Sequence, residues 1–208
     1  ETFTITVTPT AQVVEVEDIV LCNGDDSLPI AFTTLNQNGT TLYTWTNNDT
    51  SIGLAPSGPG NIESFSATNT TTEPITATVT VTPKYDSTLE CEGTPITFTI
   101  TVNPTGQVEP VASQVVCNAQ VTTVDFTTDN TVGTTTYAWS SDIDISIIGI
   151  SEDTGNISFT ALNTTTDLIE STFTVTPTFT NGGVPCEGPE ETFTITVTPT
   201  AQVVEVED

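Results

Sequence analysis

The chain has 208 residues with 27 Asp plus Glu against one basic residue, Lys84, for a formal charge of −26. Neutralising phosphates takes lysine and arginine, so nucleic acid is not an expected partner, and an anionic membrane surface would repel the chain. It also lacks His, which removes Ser-His-Asp and Cys-His catalysis, and no apolar run reaches the length of a bilayer-spanning helix; the composition points away from an enzyme.

The opening ETFTITVT alternates strictly: Phe3, Ile5 and Val7 fall on one face and threonines on the other. Period two with one wet face predicts a half-buried strand, and threonine's branched Cβ suits the wet side. Pro9 ends it, since proline cannot donate into a ladder. An acidic lead-in with Glu15, Glu17 and Asp18 runs to Cys22. The turn cluster NGDDS (23–27), the strand PIAFTTL (29–35) and the turn NQNGT (37–41) follow. Tyr43 and Trp45 share a face of the next strand, which predicts a core tryptophan, and Trp139 repeats the placement behind Tyr137. After the irregular APSGPG (55–60) comes GNIESF and the turn ATNTTT. The final hairpin pairs ITATVTVTP (75–83) with PITFTITVNP (95–104), Pro83 and Pro104 marking the strand ends. No segment sustains a 3.6-residue period.

The second half repeats the first. Cys22 falls on Cys117 and Cys91 on Cys186, each at an offset of 95; LYTW (42–45) falls on TYAW (136–139), and GNIESFSATNTTT (60–72) on GNISFTALNTTT (155–166). Residues 191–208 repeat residues 1–18 letter for letter. A fixed period of this size signals a repeat architecture. Short strands with turn signals between them predict an all-β fold: tandem immunoglobulin-like (PKD-like) β-sandwich domains arranged end to end. The expected limits are 11–105 and 106–200. Residues 1–10 read as the last strand of a preceding repeat and 201–208 as the start of the next, so the chain reads as an internal window of a longer array. Pro177 and Pro199 are expected to end strands as Pro83 and Pro104 do. The linkers are short and not glycine-rich, which predicts semi-rigid packing of neighbours.

Four cysteines without a CxxC or a histidine do not make a zinc site, so disulfides are expected, and with them an oxidising, extracytoplasmic compartment. Three pairings are open. Cys22–Cys91 with Cys117–Cys186 repeats within each unit, and requires that residues 11–21 not traverse the whole sandwich before Cys22; Cys91–Cys117 would cross between units. Calcium is the one metal to weigh. Glu15, Glu17 and Asp18 crowd one linker and Asp142 with Asp144 sit in DIDIS, the latter aligned with Asn47-Asn48-Asp49; no DxDxDG loop accompanies them. Sequons fall at Asn38, Asn48, Asn69, Asn156 and Asn163. Lys84 aligns with Thr178, so an isopeptide crosslink there would not repeat.

The succession of V-x-C-N, YxW, GNI(E)SF, TNTTT, TVTP and CEG…TFTITVNP resembles the PKD-like and immunoglobulin-like repeats of giant Bacteroidetes surface proteins, of which the SprB-type gliding adhesins are the best known. The resemblance implies type IX secretion, an extracellular, cell-surface location, a stalk or filament role in adhesion or gliding, and one cysteine bond per repeat, Cys22–Cys91 and Cys117–Cys186. It carries no catalytic residues. Asp26-Ser27-Leu28 and Asp86-Ser87-Thr88 resemble the short O-glycosylation motif of that phylum. The expected partners are neighbouring copies of the same repeat, with surface glycans or other cells beyond them. Two further readings stand beside the stalk: a carbohydrate- or partner-binding module repeated for avidity, and a polymer built by strand exchange through residues 1–10.

Overall fold

The computed structural model describes residues 1–5, 7–86, 91–143 and 152–202. The chain divides into two compact units, residues 1–104 and 105–208. In the first, β1 (Ile19–Cys22), β2 (Thr41–Asn47), β3 (Ser57–Pro59), β4 (Ile75–Tyr85) and β5 (Ile96–Asn103) form one sheet in the order β1-β5-β4-β2-β3. β1 runs parallel to β5 and the other pairs are antiparallel. The facing layer is built from residues 24–33 and 61–68. Its bridges Asp26↔Ser66 and Ile30↔Ile62 are joined by Ser27 N–H to Phe65 O and Ala67 N–H to Asp25 O. The lead-in first pairs with this layer, through Val14 N–H to Thr33 O, and then crosses to β5 as β1.

The second unit repeats the plan. β6 (Gln114–Cys117), β8 (Thr134–Ser141), β9 (Glu152–Thr154), β11 (Ile169–Asn181) and β13 (Glu191–Thr198) make a sheet ordered β6-β13-β11-β8-β9, and β12 (Val184–Glu187) pairs with the end of β11. β7 (Val121–Val124) and β10 (Ile157–Thr160) form the facing pair.

The alternating faces decide what is inside. Phe98, Ile100 and Val102 of β5 and Ala77, Val79 and Val81 of β4 are buried against Trp45, Ile30, Phe32 and Ile62. Phe193, Ile195 and Val197 of β13 pack with Phe173, Val175, Trp139, Phe126 and Ile157 in the second unit. The intervening threonines line the wet face: Thr76 and Thr101, directly opposed, share a 2.9 Å hydrogen bond. Each fully buried aliphatic side chain contributes about 1.5–3 kcal/mol. Such a core, repeated in each unit, is what ETFTITVT-type strands are built to make.

Two expectations about proline need correction. Pro104 and Pro199 do follow directly on β5 and β13, but Pro83 and Pro177 lie inside β4 and β11, opposite Tyr43 and Tyr137. The N and C=O of one strand residue point the same way. Pro83 O accepts from Gly93 N–H and Pro177 O from Gly188 N–H, so the missing N–H faces the hairpin side and the ladder to β2 or β8 loses nothing.

Candidate functional site

The features that set this chain apart are structural, and they recur in both units. The first is the seat of the lead-in segment. Asn36 Oδ1 accepts from Gln12 N–H at 2.9 Å and Asn36 Nδ2 donates to Thr10 O at 3.1 Å. Asn130 does the same for the second unit, with Gln107 N–H at 2.7 Å and Thr105 O at 3.2 Å. Thr34 and Thr128 orient the two amides through their hydroxyls. The glycine of each Cys-Glu-Gly triplet completes the seat. A Cβ on Gly93 would stand 1.8 Å from Ala11 O, and one on Gly188 would stand 1.7 Å from Gly106 O. Backbone thus passes over backbone where no side chain fits. The asparagines were legible as TTLN (33–36) against TTDN (127–130), a matched pair the sequence reading passed over.

The second recurring feature is a buried asparagine in each NTTT turn. Asn69 and Asn163 are both 2 % exposed. Asn163 Nδ2 donates to Asp167 O at 2.7 Å and Val197 O at 2.9 Å, and Oδ1 accepts from Thr165 N–H at 2.9 Å and Thr165 Oγ1 at 2.7 Å. Asn69 makes the same four bonds to Glu73 O, Val102 O and Thr71. Its backbone N–H is held by Asn23 Oδ1, as that of Asn163 is by Asn118 Oδ1. Both amide hydrogens are committed inside the fold, so these two sequons are structural devices. Ser27 of the Asp-Ser-Leu motif is also buried and its hydroxyl accepts from Phe65 N–H; Ser87 and Thr88 lie outside the described residues.

Trp45 and Trp139 are core residues, at 6 % and 8 % exposure. Trp139 packs 5.9 Å from Phe173, and the ring of Trp45 lies over Gly58. Neither offers a face for a sugar to stack on.

The acids of the lead-in do not assemble into a ligand set. Among the described residues no three His, Cys, Asp or Glu lie close enough together to hold a metal ion. Asp18 Oδ1 is instead committed to the backbone, accepting from Thr99 N–H at 2.6 Å. That backbone hydrogen bond, helped by the Thr99 side chain, lowers the Asp18 pKa below the ordinary 3.8. Ser113 Oγ accepts from Thr194 N–H in the second unit, so the position is an edge-strand anchor in both. Asp142 likewise anchors Thr172 N–H at 2.8 Å, and Asn48 anchors Thr78 N–H in the first unit. Asp142 therefore corresponds to Asn48, one residue on from the alignment read in the sequence; Asp144 lies outside the described residues.

The cysteines depart most from expectation. Cys91 and Cys117 are free thiols, so the expected bond within each unit is not formed. The reason is distance. β1 follows β5 to its end, bringing Cys22 opposite Asn103. Cys91 sits by Tyr85 at the far end of β4, where Lys84 bridges Glu92. The nine residue steps along β4 from Lys84 to Ile75, which pairs with Val102, separate the two levels by about 30 Å. Disulfides need Cα atoms within about 7 Å. In the second unit Cys117 lies opposite Thr198 and Cys186 opposite Phe179, again roughly 30 Å apart along β11. The lead-in does traverse the sandwich before Cys22, which removes the condition on which the intra-unit pairing rested.

The last observation concerns one sequence in two environments. In β13, Phe193, Ile195 and Val197 are 3 %, 0 % and 0 % exposed, whereas the identical Phe3, Ile5 and Val7 are 85 %, 75 % and 85 % exposed.

No family model and no curated protein matches the sequence. Solved structures do. A three-immunoglobulin-domain fragment of titin carrying Glu-to-Ala changes superposes with a TM-score of 0.55 at 9% identity, covering 93% of this chain and 67% of that one. The three N-terminal domains of the Highly Immunogenic Outer Capsid protein of bacteriophage RB49 give 0.50 at 13% identity, covering 92% and 70%. The fold is an immunoglobulin-like β-sandwich. Among the described residues no helix is long and apolar enough to cross a membrane.

Proposed function

We propose that the chain is a stalk segment of an extracellular, cell-surface adhesin, acting by tandem repetition, with successive sandwiches placed end to end. The observation that carries this reading is the exposed copy of the last strand. Residues 1–8 have the sequence of β13, and β13 shows what that sequence does when a unit is complete. On this reading Phe3, Ile5 and Val7 close the core of another unit of the same kind. The supporting details are the seats at Asn36 and Asn130, which fix each lead-in against its own unit. A seated lead-in transmits direction from one sandwich to the next, whereas a loose linker would not. Reach then grows with copy number, and any weak contact is multiplied by avidity. Type IX export and a gliding role belong to the same reading through the sequence resemblance.

Adding whole units to the chain tests this directly. Each sandwich is about 40 Å long, from a thirteen-residue strand at 3.3 Å per residue. The longest dimension from small-angle scattering should rise by about that increment with every unit; a radius that grows as for a compact body would reject the stalk.

Strand exchange is the second reading, and the same exposed segment favours it. Residues 1–8 present the face needed to replace β13 of a second copy. Concentration-dependent dimers that vanish when residues 1–8 are deleted would favour exchange over the stalk. The glycan-binding reading has less to stand on, because both tryptophans are inside the core.

A further inference from the structure

The lead-in of the first unit leaves a gap beside it. Ile30 and Ile62 exchange both backbone hydrogen bonds, so the backbone groups of Pro29 and Ala31 turn to the opposite side. The lead-in meets that side through Val14 N–H to Thr33 O and then crosses to β5. Ala31 is exposed and has no backbone partner among the described residues. Beside this open edge lies a cleft of about 420 Å³, walled largely by Val16, Ile19, Leu21, Ile30, Phe65 and Ile100. Leu28 also lines it, yet is 84 % exposed. A polar groove of about 480 Å³ adjoins the cleft, bordered by Glu15, Glu17 and Asp18; Val16 and Glu17 line both. Asp18 is held by Thr99 N–H, whereas Glu15 and Glu17 are exposed and have no hydrogen-bond partner among the described residues.

We propose that this seam docks a short, extended, basic segment of another protein. The segment adds a strand at Ala31, places an aliphatic side chain in the cleft, and sets lysine or arginine against Glu15 and Glu17. In such strand additions main-chain hydrogen bonds supply affinity and side-chain pockets supply selectivity. Charge decides the occupant. The chain carries −26 with one basic residue, so its field draws a basic partner and repels a second copy of itself. Pro29 keeps the edge short, because it offers a carbonyl but no N–H. A few residues can pair here, and a long sheet cannot propagate.

The second unit closes the same place. The repeat offset of 95 puts Gln114 at the position of Ile19 and Thr123 at that of Leu28. Gln114 Nε2 donates to Thr123 O at 3.2 Å and so ties β6 to β7 across the gap. At the positions of Glu15 and Glu17 stand Pro110 and Ala112. The apolar wall and the acids are present together in one unit and replaced together in the other. A packing fault would give no reason for the acids to change with the cleft. The inference concerns the first unit by itself and does not depend on the stalk reading.

The probe is a fluorescein-labelled peptide, KKVTVKK, with KKTTTKK as its counterpart lacking the apolar side chains. Each is titrated into the full chain at low salt and followed by fluorescence anisotropy. The valine peptide should bind about tenfold more tightly, as burial of an aliphatic side chain predicts. Ile19→Gln with Leu28→Thr installs the second unit's closure and should abolish that preference, with thermal unfolding to show that the chain remains folded. Glu15→Gln with Glu17→Gln changes only exposed side chains. It should weaken both peptides by about threefold and flatten the salt dependence. Amide exchange on the parent chain locates the site: the valine peptide should slow Ala31 N–H and leave the second unit unchanged. Equal binding of the two peptides, or protection spread over both units, would reduce the effect to diffuse charge attraction and overturn the proposal. So would displacement of the valine peptide by octylammonium with no protection at Ala31, which would give the cleft to a small amphiphile. Protection of Ala31 that rises with chain concentration in the absence of peptide would give the seam to a second copy and equally overturn it.

Discussion

Replacing Asn163 by alanine should be among the most damaging single changes in the second unit that leave its apolar core untouched. The amide makes four hydrogen bonds, to Asp167 O, Val197 O, Thr165 N–H and Thr165 Oγ1, in a site only 2 % exposed. Alanine removes all four and brings in no replacement. A net loss of about 1 kcal/mol per bond, with an added penalty for buried groups left unpaired, gives roughly 3–5 kcal/mol. A domain of this size has about 5–15 kcal/mol in total, so the unit should stand near the edge of folding. The carbonyl of Val197 belongs to β13, so the damage spreads to the last strand and its contacts with Phe173. Urea unfolding followed by the fluorescence of Trp139, with Trp45 changed to Phe to silence the first unit, reads the effect. Asn163→Asp keeps the shape but sets a carboxylate oxygen against the carbonyls of Asp167 and Val197 in the same buried site, and should cost at least as much as alanine. A shift of under 1 kcal/mol for Asn163→Ala would mean that solvent replaces these bonds freely and that the turn is not a structural centre.

Other substitutions probe the remaining features. Phe193→Ala should cost about 3–5 kcal/mol through cavity formation, while Phe3→Ala in the identical segment should change stability by less than about 0.5 kcal/mol; equal effects in thermal unfolding would contradict the account of residues 1–8. Gly188→Ala drives a methyl group into Gly106 O and should cost about 1–3 kcal/mol, with increased amide exchange over 105–108 as its signature. Asp142 has its pKa lowered chiefly by Thr172 N–H and by the hydroxyl of Ser171, so its folded value lies below its unfolded one. Its contribution is therefore present above the ordinary aspartate value of 3.8 and is lost as pH falls through the lowered one. Asp142→Asn should keep the anchor, as Asn48 does, and flatten the acid limb of stability for the second unit relative to the parent; an unchanged limb would place the acid sensitivity elsewhere.

The sandwich was legible because the alternation of Phe, Ile and Val with Thr leaves only one face to bury, and because the second unit repeats the first. Trp45 and Trp139 could be placed in the core for the same reason. The absence of the intra-unit cysteine bond was not legible, since spacing records neither the path of the lead-in nor the parallel pairing of β1 with β5 that carries Cys22 to the far end. Pro83 and Pro177 misled because a proline can sit inside a strand where its nitrogen faces an opened hairpin. The acids at Glu15, Glu17 and Asp18 looked like ligands in the sequence, yet among the described residues they form no metal-holding group and Asp18 takes a backbone partner. Asn36, Asn130, Asn69 and Asn163 were hidden by composition: in an asparagine- and threonine-rich chain, a buried amide looks like any other until its partners are known.

The central claim is that the chain acts by extension through repetition. The most direct measurement is the length of chains of two, four and six units by electron microscopy, under oxidising conditions. The account predicts straight or gently curved rods whose length rises in equal steps of about 40 Å per unit. Particles that stay round as units are added, or strings that bend freely between beads, would contradict it.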